Sequence, residues 1–299
     1  MAENERIKLS IVIAAWNGNT SLRECLESLK NQTDAAATEI IVVSNFPVNF
    51  SESEVLLPAK FTNLSETATV PELRCKGIAL ARGEIVALVE DQCLFDAHWC
   101  EEIKKAHESS NTVVGGSVEN ASVERALDWA VYFYDYGKYM LPNRAGATAA
   151  LSGMNVSYKR AVLEEIRDVY KDGFFETFVN EELIKRGHQL YLEPAAIVYH
   201  HKNYSLKRAA EHCYHLARSY AAQRVAGGAF SKRAFLIAVS IVLPVLLPVR
   251  IVSATVKKGR HLKELTGAMP ALILLMTIWS YGEFCGYLLG AGNSAGEWR

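Results

Sequence analysis

Residues 84–92 read Glu84-Ile85-Val86-Ala87-Leu88-Val89-Glu90-Asp91-Gln92. A short apolar run rich in β-branched side chains suits a strand buried on both faces, as in a parallel sheet. Adjacent acids at the end of such a strand repel one another and add nothing to a core. They suit either an ordinary acidic turn or oxygen coordination of Mg²⁺ or Mn²⁺ beside the phosphates of a nucleotide. Ligands of open α/β sheets collect beyond the carboxyl ends of the strands, which makes Glu90, Asp91 and Gln92 the first candidates for chemistry.

The flanking sequence repeats the alternation. Upstream, Lys8 to Ala15 (KLSIVIAA) predicts a strand, Trp16-Asn17-Gly18-Asn19 a loop, and Thr20 to Lys30 a helix with Leu22, Cys25, Leu26 and Leu29 on one face. Glu39 to Val43 (EIIVV) predicts a second strand, and Pro71 to Ala81 the helix before Glu84. Strands alternating with helices predict an α/β fold, a mostly parallel sheet with helices on both faces.

Composition narrows the class. Half of the 299 residues are hydrophobic and 22% are charged, which excludes a disordered chain. A formal net charge of −1 supplies no broad positive field, so nucleic acid is not an expected partner. The six cysteines (Cys25, Cys75, Cys93, Cys100, Cys213 and Cys285) show no CxxC pair and no zinc-ligand spacing, which argues against disulfides and structural zinc. The start, MAENERIKLS, lacks the apolar core of a signal peptide, so the first domain is expected in the cytoplasm.

Beyond residue 205 the character changes. Tyr204 to Val225, with Lys207, Arg208, Arg218 and Arg224, predicts a basic amphipathic helix, either packed on the domain or lying on a membrane surface. Ala234 to Val249 is uncharged but interrupted by Pro244 and Pro248; Met269 to Gly290 is long enough to cross a bilayer and contains one acid, Glu283. Glu283 suits a functional contact or sits among glycines that pack helices closely. Between the runs lie Arg250, Lys257, Lys258, Arg260 and Lys263, which prefer the cytoplasmic side. Two such runs favour lipid over burial in a soluble core, and both a spanning hairpin and a re-entrant first segment fit them. The expected division is 1–205 catalytic, 206–233 interfacial and 234–299 membrane-associated. The aromatic stretch Ala126 to Leu141 suits packing, sugar stacking or a membrane interface.

From Leu9 to about His201 the chain resembles the family 2 inverting glycosyltransferases of the GT-A (Rossmann-like) fold. LSIVIAAWNGNTSLRECLESLKNQT resembles their first strand, nucleotide-contacting loop and first helix; EIIVVSN their second strand; and VPELRCKGIALARGEIVALVEDQ the Arg/Gly helix and the strand leading to the metal motif. GFFETFVNEELIKRGHQLYLEPAAIVYHH resembles the acceptor-side segment with the catalytic base, then a strand ending in histidine. The resemblance implies donor contacts from Ala15, Trp16, Asn17, Asn45, Arg74, Glu90, Asp91, Gln92, Gly153 and Asn155. It implies a divalent metal, Mg²⁺ or Mn²⁺, held by Asp91, Glu90 and His200. Arg74 suits a diphosphate contact or a structural role, and Ser152, Gly153 and Asn155 the loop under the donor sugar.

Two departures stand out. Ser44-Asn45 replaces the acid that usually follows the second strand, and Gln92 replaces the second metal acid. The family's base lies about three helical turns before a helix-ending glycine, and counting back from Gly187 reaches Glu176, with Glu181 and Glu182 in reserve. The implied activity is inverting transfer from a nucleoside-diphosphate sugar to a lipid-linked or saccharide acceptor at the cytoplasmic face of a membrane, with membrane lipids as further partners. A non-catalytic sugar-nucleotide-binding or scaffold protein is the alternative.

Overall fold

The computed structural model describes residues 7–30, 32, 37–51, 54 and 57–297. The expectation drawn from the N-terminal MAENER lies outside them. The chain divides into two compact units, residues 1–121 with 139–201, and residues 122–138 with 202–299.

The first unit is built on a nine-stranded mixed sheet flanked by helices, as the alternation predicted. Its parallel half comprises β1 (Leu9–Ala15), β2 (Thr38–Ser44), β3 (Ala59–Asn63) and β4 (Ile85–Glu90), in the order β3-β2-β1-β4. Every residue of β1, β2 and β4 is buried, which explains their near-continuous apolar sequences. The helix α1 (Asn19–Leu29) buries Leu22, Cys25, Leu26 and Leu29, the face its periodicity predicted. The next helix, α2 (Val70–Leu80), starts at a capping box in which Thr69 N–H donates to Glu72 Oε2 at 2.7 Å. It packs so closely on β1 that a Cβ at Gly77 would overlap the side chain of Val12.

The other half is less regular. Beyond β4 the order continues β8 (Asn155–Lys159), β6 (Val113–Asn120), β9 (Leu190–His200) and β5 (Cys93–Phe95), and β7 (Gly146–Thr148) pairs with β9. Strand β8 runs antiparallel to both β4 and β6, whereas β6 and β9 are parallel. Between Gly116 and Ser117 the β6–β9 register jumps, from Gly116 opposite Glu193 to Ser117 opposite Ile197. A Cβ at Gly116 would overlap the Ala196 carbonyl oxygen, so glycine is what permits the bulge to approach. The remaining helices of this unit are α3 (Trp99–Glu108), α5 (Arg160–Glu165), α6 (Arg167–Tyr170) and α7 (Glu176–Lys185).

The second unit is helical among the described residues: α4 (Ala126–Asp135), α8 (Leu206–Arg224), α9 (Phe230–Ser240), α10 (Leu243–Lys258), α11 (Leu262–Leu289) and α12 (Ser294–Glu297). Trp129, Tyr132 and Phe133 of α4 are buried and pack on one another, the packing role weighed for this aromatic stretch. The long helix α11 is apolar and long enough to cross a membrane; α9 and α10 meet such a test only as a pair bent by 73°. Glycines bring α11 against α8: a Cβ at Gly282 would stand 2.6 Å from the carbonyl oxygen of Tyr214, and one at Gly286 would overlap that of Arg218. Glu283 is buried but satisfied, accepting from Trp279 Nε1 and Tyr287 Oη at 2.8 Å each, with Arg224 Nη1 3.9 Å away.

Candidate active site

Strand β4 delivers Glu90 and Asp91 to its carboxyl end, where successive side chains of an extended chain point to opposite sides. Asp91 turns toward the loop after β1. Its Oδ2 accepts from the backbone N–H groups of Trp16 (3.0 Å) and Asn17 (2.7 Å), and its Oδ1 from Asn17 Nδ2 at 2.6 Å. Gly18 follows with φ of 98°, a left-handed conformation that glycine adopts without strain. One carboxylate thus fixes the loop that the sequence singled out.

Glu90 turns the other way. Its Oε1 accepts from Arg74 Nη2 at 2.6 Å and its Oε2 from Gln92 Nε2 at 2.7 Å. Arg74, buried in α2, also donates Nη2 to the Gly153 carbonyl at 3.0 Å and Nη1 to Glu176 Oε2 at 2.7 Å. Burial pushes this guanidinium's pKa down, but Glu176 and Glu90 push it further up, and it ends above the ordinary arginine value. Glu176 stands at the first turn of α7, where the helix dipole favours an acid. The segment before it is tied to α2 by the Phe174 N–H bond to the Pro71 carbonyl at 3.0 Å.

Gly153 makes the approach of Glu176 possible. A Cβ there would lie 2.5 Å from Glu176 Cδ and 2.8 Å from Oε1. Tyr139 and Tyr158 face the same carboxylate; burial first, and then the charge of Glu176, raises the pKa of both phenols. Of the reserve acids, Glu182 pairs with Arg186 at 3.0 Å and Lys185 at 3.5 Å.

The other candidates are placed as follows. Ala15 is buried at the end of β1, its carbonyl accepting from Asn45 N–H at 3.2 Å, and Asn45 Nδ2 is anchored on the Ala68 carbonyl at 3.0 Å. Asn155 is fully buried and is placed differently from the sugar-contacting role the resemblance implied. Its Nδ2 donates to the carbonyls of Ser117 and Ala196, each at 2.9 Å, and its Oδ1 accepts from Trp99 Nε1 at 2.9 Å. Both amide hydrogens are committed, so Asn155 ties β8 to β6 and β9 rather than facing a ligand.

His200 is buried at the end of β9 in register with Cys93, and the neighbouring His201 N–H donates to the Gln92 carbonyl at 2.8 Å. Among the described residues no three His, Cys, Asp or Glu side chains converge as a ready metal-ligand set, so Asp91, Glu90 and His200 are not gathered into one. The reason is local: Asp91 is turned to the β1 loop and Glu90 to Arg74. Hard oxygen donors are nevertheless present. Gln92 Oε1 is buried and has no hydrogen-bond donor among the described residues, and its amide is oriented by Glu90. An orphaned carbonyl oxygen whose amide is held by a carboxylate fits a hard divalent cation.

The sequence did not reveal that Arg74 bridges Glu90 and Glu176, because 102 residues separate Arg74 from Glu176. It also did not mark Trp99 as the partner of Asn155; the single available signal was a tryptophan shortly after the acidic motif.

Residues 10–167, over half of the chain, match the family described as Glycosyl transferase family 2, and the chain belongs to that family. It is 30% identical to EpsH of Bacillus subtilis (strain 168) over 138 residues, 44% of this chain and 36% of that protein, so the match spans about a third of the curated relative. Among solved structures it resembles mannosyltransferase PcManGT from Pyrobaculum calidifontis, in complex with GDP-Man and Mn²⁺, with a TM-score of 0.52 and 17% identity over 96% of this chain and 86% of that one. It also resembles S. aureus TarS 1-349 in complex with UDP-GlcNAc, with a TM-score of 0.53 and 14% identity over 93% of this chain and 91% of that one. At these identities the likeness concerns the fold, which is GT-A-like.

Proposed function

We propose that the chain transfers a glycosyl group, with inversion, from a nucleoside-diphosphate sugar to a lipid-linked or saccharide acceptor at the cytoplasmic face of a membrane. The observation that carries this reading is the placement of Glu176, held against Gly153 and joined through Arg74 to Glu90 of the acidic motif. GDP-Man and UDP-GlcNAc, bound in the two solved relatives, support a nucleotide-sugar donor.

Inversion requires one displacement. The acceptor oxygen attacks the anomeric carbon as its proton passes to Glu176, the bond to the diphosphate oxygen breaks, and the nucleoside diphosphate leaves. Trp16 and Asn17, fixed by Asp91, border the nucleotide. Arg74 offers its guanidinium to the developing negative charge. The Gln92 carbonyl beside Glu90 would hold a divalent cation, joined by Asp91 once that carboxylate turned from the β1 loop; when bound, the cation would neutralise charge on the diphosphate. The Mn²⁺ in the PcManGT complex supports that assignment.

The test is a panel of nucleoside diphosphates measured by calorimetry with and without Mn²⁺, together with Glu176→Gln in a transfer assay. Metal-enhanced binding of one nucleotide is expected, with binding retained and transfer reduced about 10²–10⁴-fold in the variant. Full transfer by Glu176→Gln would remove Glu176 as the base. A nucleotide-binding protein without transferase activity has one observation in its favour, the engagement of Glu176 by Arg74, and it predicts binding with no transfer by the wild-type chain.

A further inference from the structure

The helical unit carries a charge asymmetry that sugar transfer does not explain. From His212 to Lys263 there is no Asp or Glu, against nine Lys and Arg. Most of that stretch forms α9, α10 and the break between them, which together expose a series of large apolar side chains. Phe235 is 67% exposed, Val245 71% and Ile241 71%, and Val242, Val249 and Val256 are exposed as well. The positions 235, 242, 245, 249 and 256 fall on alternating three- and four-residue steps once Ala238 and Val252 are included, so one stripe continues in sequence through the bend. A stripe of this kind facing water is unfavourable, and an uninterrupted apolar surface marks a site of contact.

The apolar helix α11 is not free to take the same role along its whole length. Its segment 275–287 lies against 213–224 of α8: Cys213 Sγ donates to the Leu275 carbonyl at 3.1 Å, Gly282 and Gly286 meet the backbone of α8, and Arg224 Nη1 donates to Tyr287 Oη at 2.8 Å. The same part of α8 carries His215, Arg218 and Arg224, side chains that are costly at the centre of a bilayer. The α8–α11 pair is therefore the core of the unit; α11 also exposes Ile273, Leu274 and Leu289, but the exposed apolar side chains flanked by the lysines and arginines are those of α9, α10 and the break between them.

We propose that α9 and α10 form a monotopic anchor that dips into one leaflet of an anionic bilayer without crossing it. The 73° bend makes the pair a shallow V. At about 1.5 Å per residue the 16-residue arm α10 is about 24 Å long, and shared equally the bend sinks it about 14 Å. That depth matches the ~15 Å of hydrocarbon in one leaflet. The break at Ile241 and Val242 lies deepest. Lys257, Lys258, Arg260 and Lys263 beyond the longer arm then lie in the headgroup layer, where anionic phosphates attract them, and Lys232, on the shorter 11-residue arm α9, reaches it by extending its stem. Arg250, partway along α10, reaches the same layer by extending its stem.

The test is flotation of the purified full chain with vesicles of phosphatidylcholine alone and with about 30% phosphatidylglycerol. At least ten-fold stronger partition onto the anionic vesicles is expected, declining as salt screens the surface. The double substitution Lys257→Gln/Lys258→Gln should lower the partition, and Val245→Glu/Val249→Glu should abolish it while circular dichroism and nucleotide binding are retained. Ser231→Cys and Lys263→Cys, each on vesicle-bound protein, should both react with an impermeant maleimide added outside. Equal binding to neutral vesicles, protection of either cysteine, or a solution dimer that Val245→Glu dissociates without changing vesicle binding would each overturn the proposal. Vesicle binding is scored without sugar transfer, so its failure would leave the transferase reading untouched.

Discussion

Arg74 Nη1 stands 2.7 Å from Glu176 Oε2, and the same guanidinium reaches Glu90 through its other terminal nitrogen at 2.6 Å. Glu90 is buried, whereas the Glu176 side chain is 30% exposed, so the two arms of this bridge differ in kind. Removing Arg74 leaves a carboxylate without its charge partner in a desolvated place. Arg74→Ala should lower unfolding free energy by about 3 kcal/mol in urea titrations, and adding Glu90→Gln should recover part of that loss. Strict additivity of the two changes would show that the arginine does not compensate Glu90.

Gly153→Ala tests the positioning of the base separately from its chemistry. The new methyl would sit 2.5 Å from Glu176 Cδ, displacing the carboxylate without touching its charge. Turnover is expected to fall about 10²-fold with donor affinity nearly unchanged, because misplacement of a reacting group is paid in the transition state. Loss confined to donor binding would assign Gly153 to the nucleotide instead.

Asp91→Asn keeps the shape of the side chain but turns one acceptor into a donor. Three N–H groups converge on the present carboxylate, from the backbone of Trp16 and Asn17 and from Asn17 Nδ2. At least one must lose its partner, and nucleoside diphosphate should bind about ten-fold more weakly by calorimetry. Unchanged affinity would disconnect the loop from the nucleotide.

His107 supplies a pH dependence remote from the site. Its Nε2 lies 2.8 Å from Ser157 Oγ, and burial lowers the imidazole pKa from the ordinary 6.5 to about 4. As pH falls between those values the unfolded chain takes the proton first, so folded stability declines through that window and levels off below it. The contribution is up to about 3 kcal/mol, and His107→Gln should remove it from the difference between urea titrations at the two ends of the window. An identical acid limb in the variant would mean that carboxylates alone set it.

Three of the four strands in the parallel half of the sheet were legible because their signals are local; the half-exposed β3 was not marked. The strand runs of β1, β2 and β4 and the one-sided faces of α1 are properties of ten or fewer neighbouring residues. Strand β6, with Gly115 and Gly116 at its centre, reads as broken, yet those glycines admit Leu151 and Ala196 against the strand. The order of β8, β6 and β9 depends on such long-range fits, which no window of sequence contains. The site divides in the same way. Glu90, Asp91 and Gln92 stood out as candidates at a strand end, whereas Glu176 became one only through the family resemblance, by counting back from Gly187. The role of Asn155 was not readable, since its type suits a sugar and a buried sheet equally; burial and three committed hydrogen bonds decide it.

The register jump in β9 makes it two strands under one name. Residues 190–193 are aligned with 113–116, and 197–200 with 117–120, with Pro194, Ala195 and Ala196 left over between them. The second segment, which ends at His200, takes its alignment from Asn155 on the Ala196 carbonyl and from the bare backbone of Gly116. Amide hydrogens on either side of the bulge should therefore exchange with solvent as separate groups. Loosening at Ala196 would let the histidine end slide along 117–120 while the start of the strand, paired with 113–116, stays closed.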